Sequence, residues 1–265
     1  MTDRRSLLRA GAATAALRLV PHAAAAETVE TIRDRAGHAM PYAWRPARNP
    51  TGARTLVWLH GAAGGKSAPS AAAVNPDWNV LVPLDTANGG NGSWWLGRDG
   101  DWFTLRLLHA LVTRVRTGIG SDQGLYFAGA SMGGYGSLLH GMLMGAKAVY
   151  ASDPQTKLRG TAFNDRFPAT KAVVGGRDTP YADLGVLAGT KAPHDLPVLF
   201  VDFRRFDHEE LSYFAEHFVA FLAACTGAGA NVGAQVFPLP EHRANRSFAQ
   251  VLALFDANRA TVESW

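Results

Sequence analysis

Short apolar runs alternate with longer stretches of helical periodicity along most of the chain. Most of the runs are apolar throughout, as strands buried on both faces of a parallel sheet must be. They lie at residues 55–59, 79–84, 125–130, 148–152, 198–203 and 231–239. The alternation predicts an α/β fold, with a doubly wound, mostly parallel sheet flanked by helices.

Three stretches between or after the runs repeat apolar residues at helical spacing, so each predicts a helix that buries one face on the sheet. Their apolar positions are Leu105, Leu108, Val112 and Val115, then Leu211, Phe214, Phe218 and Phe221, then Phe248, Val251, Leu252 and Phe255. Residues 169–174 fit either a further strand or a loop. The last run contains Pro238 and is followed by Pro240, and proline cannot donate a ladder hydrogen bond, so this strand is expected at a sheet edge.

Composition and charge narrow the picture to one large domain without a nucleic-acid partner. The chain has 265 residues, of which 47% are hydrophobic and 18% charged. Of its formal net charge of +4, a net +3 comes from residues 1–26. The remainder is almost neutral and has no Lys/Arg cluster, which phosphate binding requires.

The first 26 residues are predicted to be a routing signal. Residues 3–9 read Asp-Arg-Arg-Ser-Leu-Leu-Arg and resemble the twin-arginine export motif. A short, weakly apolar stretch and three alanines follow, which predicts cleavage before Glu27 and a mature domain over residues 27–265. The stretch is too short to span a bilayer, so we expect a periplasmic or secreted protein without a membrane anchor. The alternative is a disordered, Ala-rich tail on a cytoplasmic protein.

Nothing in the sequence predicts a metal or an organic cofactor. Cys225 is the only cysteine, which excludes a disulfide within the chain and a Cys-based zinc site. Its apolar surroundings predict a small buried side chain rather than a reactive thiol. Residues 64–67 read Gly-Gly-Lys-Ser, but His60 stands where a phosphate-binding loop needs its first glycine.

A G-x-S-x-G motif at residues 129–133 supplies the strongest chemical signal. It follows the run at 125–128 and precedes apolar residues at helical spacing, which is the strand, turn and helix order of a nucleophile elbow. Glycines on either side let a serine sit in a strained turn without clashes. We therefore predict Ser131 as a nucleophile; the alternative is a Gly-rich helix start without chemistry.

With Leu59-His60-Gly61 after an early run, residues 55–260 resemble the α/β-hydrolase superfamily. The resemblance implies that the backbone N–H of Met132 and one from Gly61 or Ala62 form an oxyanion hole. It implies a structural role for His60. Residues 129–136 and 148–155 also resemble a branch that includes relatives of accessory-secretion acetyltransferases and of secreted polyester or polysaccharide esterases.

A nucleophilic serine needs a histidine base, and the histidine needs a carboxylate to hold it. The superfamily order of serine, acid and histidine points to His242, just past the last run; a surface histidine is the alternative. Other histidines fall on or at helices, namely His140, His208 and His217, and His194 precedes a strand.

The sequence leaves several candidates for the carboxylate that holds the histidine. Asp207 follows the run at 198–203 and precedes a helix, so it is the favoured acid. Asp178 follows a Gly-Gly-Arg loop and becomes a stronger candidate for the acid if residues 169–174 form a strand. Asp202 lies within a run, and Asp153 follows another.

A Gly/Asn-rich loop between Asp85 and Trp102 carries three tryptophans after the second run. Loops at the carboxyl ends of parallel strands line the ligand crevice, so Trp94 and Trp95 are candidates for stacking on an aromatic or sugar ring. The alternative is that they pack the loop onto the domain.

These features predict an exported serine hydrolase that cleaves a small-molecule or polymeric ester through an acyl-enzyme. Acyl transfer to a glycan is the alternative, because the same triad serves both reactions. A binding protein with an inactive site is a third class, against which the presence of serine, histidine and acid counts.

Overall fold

The structure is a computed structural model that describes residues 29–62, 75–87, 92–167 and 169–265. Within these residues the strands form one sheet of eight strands in the order β1-β2-β4-β3-β5-β6-β7-β8. The strands are β1 (Val29–Arg33), β2 (Ala39–Arg45), β3 (Thr55–Leu59), β4 (Asn79–Pro83), β5 (Leu125–Ala130), β6 (Ala148–Ser152), β7 (Val198–Arg204) and β8 (Val232–Phe237).

The six runs predicted from the sequence form the six parallel strands β3 to β8, and the predicted α/β sheet is confirmed. The two strands β1 and β2 pair antiparallel and join the sheet beside β4. Strand β1 carries no continuous apolar run because it is a largely exposed edge strand, and the largely apolar β2 was missed from the sequence. At the other edge lies β8, and Pro238 follows its end, as the proline positions predicted.

Helices cover the sheet. They are α1 (Phe103–Gly118), α2 (Met132–Leu143), α3 (Ala162–Arg166), α4 (Ala169–Val174), α5 (Leu184–Gly189), α6 (Ala220–Gly227), α7 (Phe248–Ala257) and α8 (Arg259–Ser264), with a π-helical turn at Phe214–Val219 before α6. Residues 169–174 are thus neither strand nor loop. Thr170, Val173 and Val174 are the buried side of this short helix, which is a helical rather than an alternating pattern.

The sheet separates two apolar clusters, because neighbouring strand residues point to opposite faces. Leu56 belongs to the cluster that includes α7 residues such as Phe255. Val57 belongs to the larger cluster, which includes α2 residues such as Leu138. Burial on both faces explains why the parallel strands β3 to β7 are largely apolar, while the edge strand β8 is mostly exposed.

The predicted routing signal at residues 1–26 and the Gly-Gly-Lys-Ser stretch at 64–67 lie outside the described residues. Among the described residues, no helix is both long and apolar enough to cross a membrane.

Candidate active site

Ser131 stands at a sharp turn between β5 and α2, at the carboxyl edge of the parallel strands. Its backbone has φ 55° and ψ −124°, a conformation that L-residues rarely adopt. The turn is held by the Ser131 N–H, which donates to the Ser152 carbonyl at 2.8 Å, and by the first helical bond from Tyr135. This strained turn raises the serine side chain above the end of the sheet.

The glycines on either side of Ser131 are required by close backbone contacts. A Cβ atom on Gly129 would lie 2.5 Å from the carbonyl carbon of Gly133. A Cβ atom on Gly133 would lie 2.2 Å from the Leu59 carbonyl oxygen on the neighbouring strand. Neither neighbour is a flexible side chain, so the turn can form only with glycine at both positions.

The structure brings Ser131, His242 and Asp207 into one chain of hydrogen bonds. His242 Nε2 lies 2.8 Å from Ser131 Oγ, and His242 Nδ1 lies 2.5 Å from Asp207 Oδ2. A carboxylate accepts only, so Nδ1 carries the proton and Nε2 is free to accept the serine proton. Asp207 is buried and the histidine is partly exposed, which leaves the serine end of the chain open to a substrate.

The other three carboxylates considered from the sequence have different partners. Asp178 is fully exposed and accepts from Arg159 at 2.9 Å. Asp202 accepts from Arg246 Nε at 2.7 Å and from Tyr150.

Asp153 anchors the loop that carries His242. It accepts from the Arg204 N–H at 2.6 Å and from Asn245 Nδ2 at 2.8 Å. Asn245 also donates its own N–H to Ser152 Oγ at 3.0 Å. Burial raises the pKa of Asp153 to about 7. The His242 loop is therefore tied to the end of β6 three residues after the histidine.

Solved structures share this arrangement of strands and helices. The chain is similar to an S-formylglutathione hydrolase from Agrobacterium tumefaciens, at 13% identity and a TM-score of 0.64, over 88% of this chain and 93% of that one. It is similar to MPT51 (FbpC1) of Mycobacterium tuberculosis, at 15% identity and a TM-score of 0.64, over 90% and 98% of the two chains. A capsule O-acetyltransferase of Neisseria meningitidis serogroup A gives 15% identity and a TM-score of 0.62, over 86% and 93%.

The chain has the α/β-hydrolase fold. No protein-family model matches the sequence, and no curated protein matches it. At these identities, the structural neighbours show the fold, while the chemistry depends on the side chains at the carboxyl edge of its sheet.

In this α/β-hydrolase fold, the backbone of Gly61 passes directly beside Ser131. A Cβ atom on Gly61 would lie 3.6 Å from Ser131 Cβ. Met132 is the first residue of α2, where N–H groups have no partner within the helix. Gly61 and Met132 thus adjoin Ser131, and an oxyanion hole formed by the N–H of Met132 and that of Gly61 or Ala62 stays a prediction.

His60 fixes the backbone of this oxyanion segment. Its Nε2 accepts from the Asp85 N–H at 2.8 Å, so its Nδ1 donates to the Gly61 carbonyl at 2.7 Å. Burial lowers the pKa of His60, which favours this neutral form. Since a trans peptide places C=O and N–H on opposite sides, fixing the Gly61 carbonyl also directs the N–H of Ala62.

The two tryptophans predicted to stack on a substrate are buried instead. Trp95 is 0% exposed and Trp94 is 7% exposed, so neither presents an open ring face to a ligand. Trp95 packs so closely on α2 that a Cβ atom on Gly136 would lie 2.4 Å from its ring. The buried carboxylate of Asp85 holds the loop by accepting from Ser93 N–H and Oγ at 2.6 and 2.8 Å. Packing of the loop, the alternative considered from the sequence, agrees with these contacts.

A metal ion could be held by ligand atoms of Asp207, His208 and His242, which lie within 4.8 Å of one another. Two of these residues already bond to each other in the hydrogen-bond chain described above. An ion at this place would draw His242 away from Ser131. The arrangement found here therefore fits proton transfer to and from the serine.

Sequence reasoning missed two side chains at the site. Gln155 contacts Ser131 Oγ, and Asn245 ties down the histidine loop. Asn245 lies close to His242 in sequence, and a polar residue on a catalytic loop is a usable signal. Gln155 ends the segment 148–155 that carried the finer resemblance, but no role was assigned to it, because its proximity to Ser131 depends on how β6 pairs with β5.

Proposed function

We propose that this protein is an exported serine hydrolase that cleaves a carboxylic ester through an acyl-enzyme on Ser131. The unbroken chain of hydrogen bonds from Asp207 through His242 to Ser131 carries the proposal. A serine hydroxyl is a weak nucleophile at neutral pH, and this chain is the arrangement that activates it. Structural neighbours described as an S-formylglutathione hydrolase and an O-acetyltransferase support acyl chemistry on this fold.

The acylation step follows from these positions. Ser131 Oγ bonds to the ester carbonyl carbon while its proton moves to His242 Nε2. The negative charge on the carbonyl oxygen faces the N–H groups of Met132 and of Gly61 or Ala62. The bond to the alcohol then breaks, and His242 returns the proton to the leaving oxygen. Asp207 holds the imidazole in place and stabilises its charged form.

In the second half of the reaction, water replaces the alcohol. His242 takes a proton from the water as its oxygen bonds to the acyl carbon. The bond to Ser131 Oγ breaks, the serine regains its proton, and the carboxylic acid leaves. In each half of the reaction His242 first takes a proton and then returns it, while Asp207 holds the imidazole in place.

Acyl transfer is the second candidate function, because an alcohol on a sugar can take the place of water in that half-reaction. The structural likeness to a capsule O-acetyltransferase is the observation that favours it. Only the acceptor differs between the two functions. The fate of the acyl-enzyme therefore separates them.

The proposed acyl-enzyme can be trapped. On mixing with an activated acetyl ester and quenching in acid, we expect one acetyl group on the peptide that contains Ser131, found by mass spectrometry. The Ser131→Ala variant is the matched control and should remain unmodified. Acetylation of another residue, or no acetylation during turnover, would contradict the mechanism.

The same trapped species tests hydrolysis against transfer. We expect acetate as the main product in water, with little change when a sugar acceptor is added. An acetylated sugar that outcompetes acetate would establish transfer as the main reaction.

We also propose export through the twin-arginine route, because Arg4 and Arg5 form the pair that this signal requires. Replacing both by lysine keeps the charge, so export should stop and uncleaved protein should accumulate in the cytoplasm. Cell fractionation with immunoblotting measures this, and Arg9→Lys serves as the charge-matched control. Normal export of the double variant would exclude the twin-arginine route.

A further inference from the structure

Gln155 reaches the nucleophile from the side of β6. Its side chain is 2% exposed, and its Nε2 lies 3.0 Å from Ser131 Oγ and 2.9 Å from the Tyr213 hydroxyl. On the other side, its Oε1 accepts from Trp94 Nε1 at 3.4 Å. The amide thus bridges a buried aromatic pair and the serine.

The partners of Gln155 determine which way its amide faces. An indole N–H can only donate, so the atom facing Trp94 must be the amide oxygen. The Tyr213 hydroxyl donates to the Asp153 carbonyl at 2.9 Å, so it accepts from Gln155. The NH₂ group therefore faces both Tyr213 and Ser131, and the network leaves no freedom for the flipped orientation.

This contact places a donor on the oxygen that reacts. Ser131 Oγ has one proton, which faces His242 Nε2, and two lone pairs, one of which accepts from Gln155. The hydroxyl is thereby held with its proton toward the base. As the proton leaves, the amide faces an oxygen that becomes negative, at a partly buried contact where such bonds are stronger than in water.

We propose that Gln155 is a fourth catalytic residue, which orients the Ser131 hydroxyl and stabilises negative charge on Oγ. Trp94 and Tyr213 act as positioning residues that hold its amide. The role applies to both halves of the reaction. In acylation the Oγ–carbon bond forms as the proton moves to His242, and in deacylation that bond breaks and Oγ takes the proton back.

This proposal rests on the proposed acyl-enzyme function and predicts a specific kinetic pattern. Gln155→Met retains the shape without the donor and should lower kcat about 10- to 100-fold, with KM changed less than about threefold. Gln155→Glu puts a carboxylate beside Oγ, so its loss should be larger, and the acid limb of its kcat/KM profile should move to higher pH. Trp94→Phe removes the indole donor together with part of a buried ring, and should lower kcat about two- to fivefold.

The matched control is Gln123→Met, since the Gln123 side chain donates to Asp122 at the surface and should leave kcat unchanged. The rate at which a fluorophosphonate modifies Ser131 adds a measurement that needs no ester substrate. We expect Gln155→Met to be modified at least about tenfold more slowly than the wild type, at an unchanged melting temperature.

The outcomes separate this proposal from the proposed function. Equal modification rates for Gln155→Met and the wild type would overturn the role of Gln155 and leave the acyl-enzyme mechanism standing. Slow modification of the variant beside a fast wild type that cleaves no ester would support Gln155 and reject ester hydrolysis. If Gln155→Met unfolds, the pH profile of Gln155→Glu decides, and an unshifted acid limb would overturn the proposal.

Discussion

Replacing Ser131 with alanine is expected to lower turnover of a small acetyl ester by about 10³-fold or more while leaving the fold intact. The hydroxyl oxygen is the atom that bonds to the carbonyl carbon, so the variant cannot form the acyl-enzyme. The substitution should also remove little packing, because the serine side chain contacts His242 and Gln155 at the open edge of the sheet. Steady-state kcat and KM measure the loss, and circular dichroism with a melting curve checks the fold.

His242→Ala should reach a similar loss, since Ser131 then has no base. The double variant should be no slower than either single variant, because the two side chains act as one unit. His194→Ala is the control histidine, as its side chain is 80% exposed and pairs only weakly with Asp195. Turnover by Ser131→Ala within tenfold of the wild type would reject the mechanism.

The central part of the sheet could be predicted from the sequence because the parallel strands β3 to β7 are buried on both faces, whereas the edge strand β8 is mostly exposed. Val57 and Leu56 show this directly, since adjacent residues enter opposite apolar clusters and both must be apolar. The turn at Ser131 was equally readable, because backbone contacts on both sides exclude any side chain at Gly129 and Gly133. The strands and this turn could be predicted because each leaves its pattern within a short stretch of the sequence.

Long-range packing explains what the sequence could not predict. Trp94 and Trp95 stand in a polar, glycine-rich stretch, yet the buried Asp85 folds that stretch inward and α2 has a glycine where Trp95 packs. Residues 169–174 look β-branched but are helical, because the buried side repeats at three and four residues. Gln155 meets Ser131 only through strand pairing. The burial of Trp95 and the position of Gln155 thus depend on contacts with other elements of the fold, whereas the helical spacing at residues 169–174 is local.

Of the four aspartates considered as the acid, Asp207 is the one that is hydrogen-bonded to His242. Asp207→Asn should lower kcat about 10²- to 10⁴-fold, with the melting temperature little changed. An asparagine amide can donate to His242 Nδ1, which moves the ring proton to Nε2. That nitrogen faces Ser131 Oγ at 2.8 Å and would then donate rather than accept, so the serine would lose its base.

Two other aspartate variants make this test specific. Asp178→Asn should keep kcat within about twofold, because Asp178 is exposed and pairs only with Arg159 among the described residues. Asp202→Asn removes the buried charge of an ion pair with the partly exposed Arg246 and should lower the melting temperature more than it lowers kcat. The assignment fails if Asp207→Asn keeps kcat within threefold of the wild type, or if Asp178→Asn matches the loss of the serine variant. Because all three substitutions exchange the same carboxylate for the same amide, a loss confined to Asp207→Asn must come from the surroundings of Asp207, where His242 Nδ1 at 2.5 Å is nearer than His208 Nε2 at 3.8 Å.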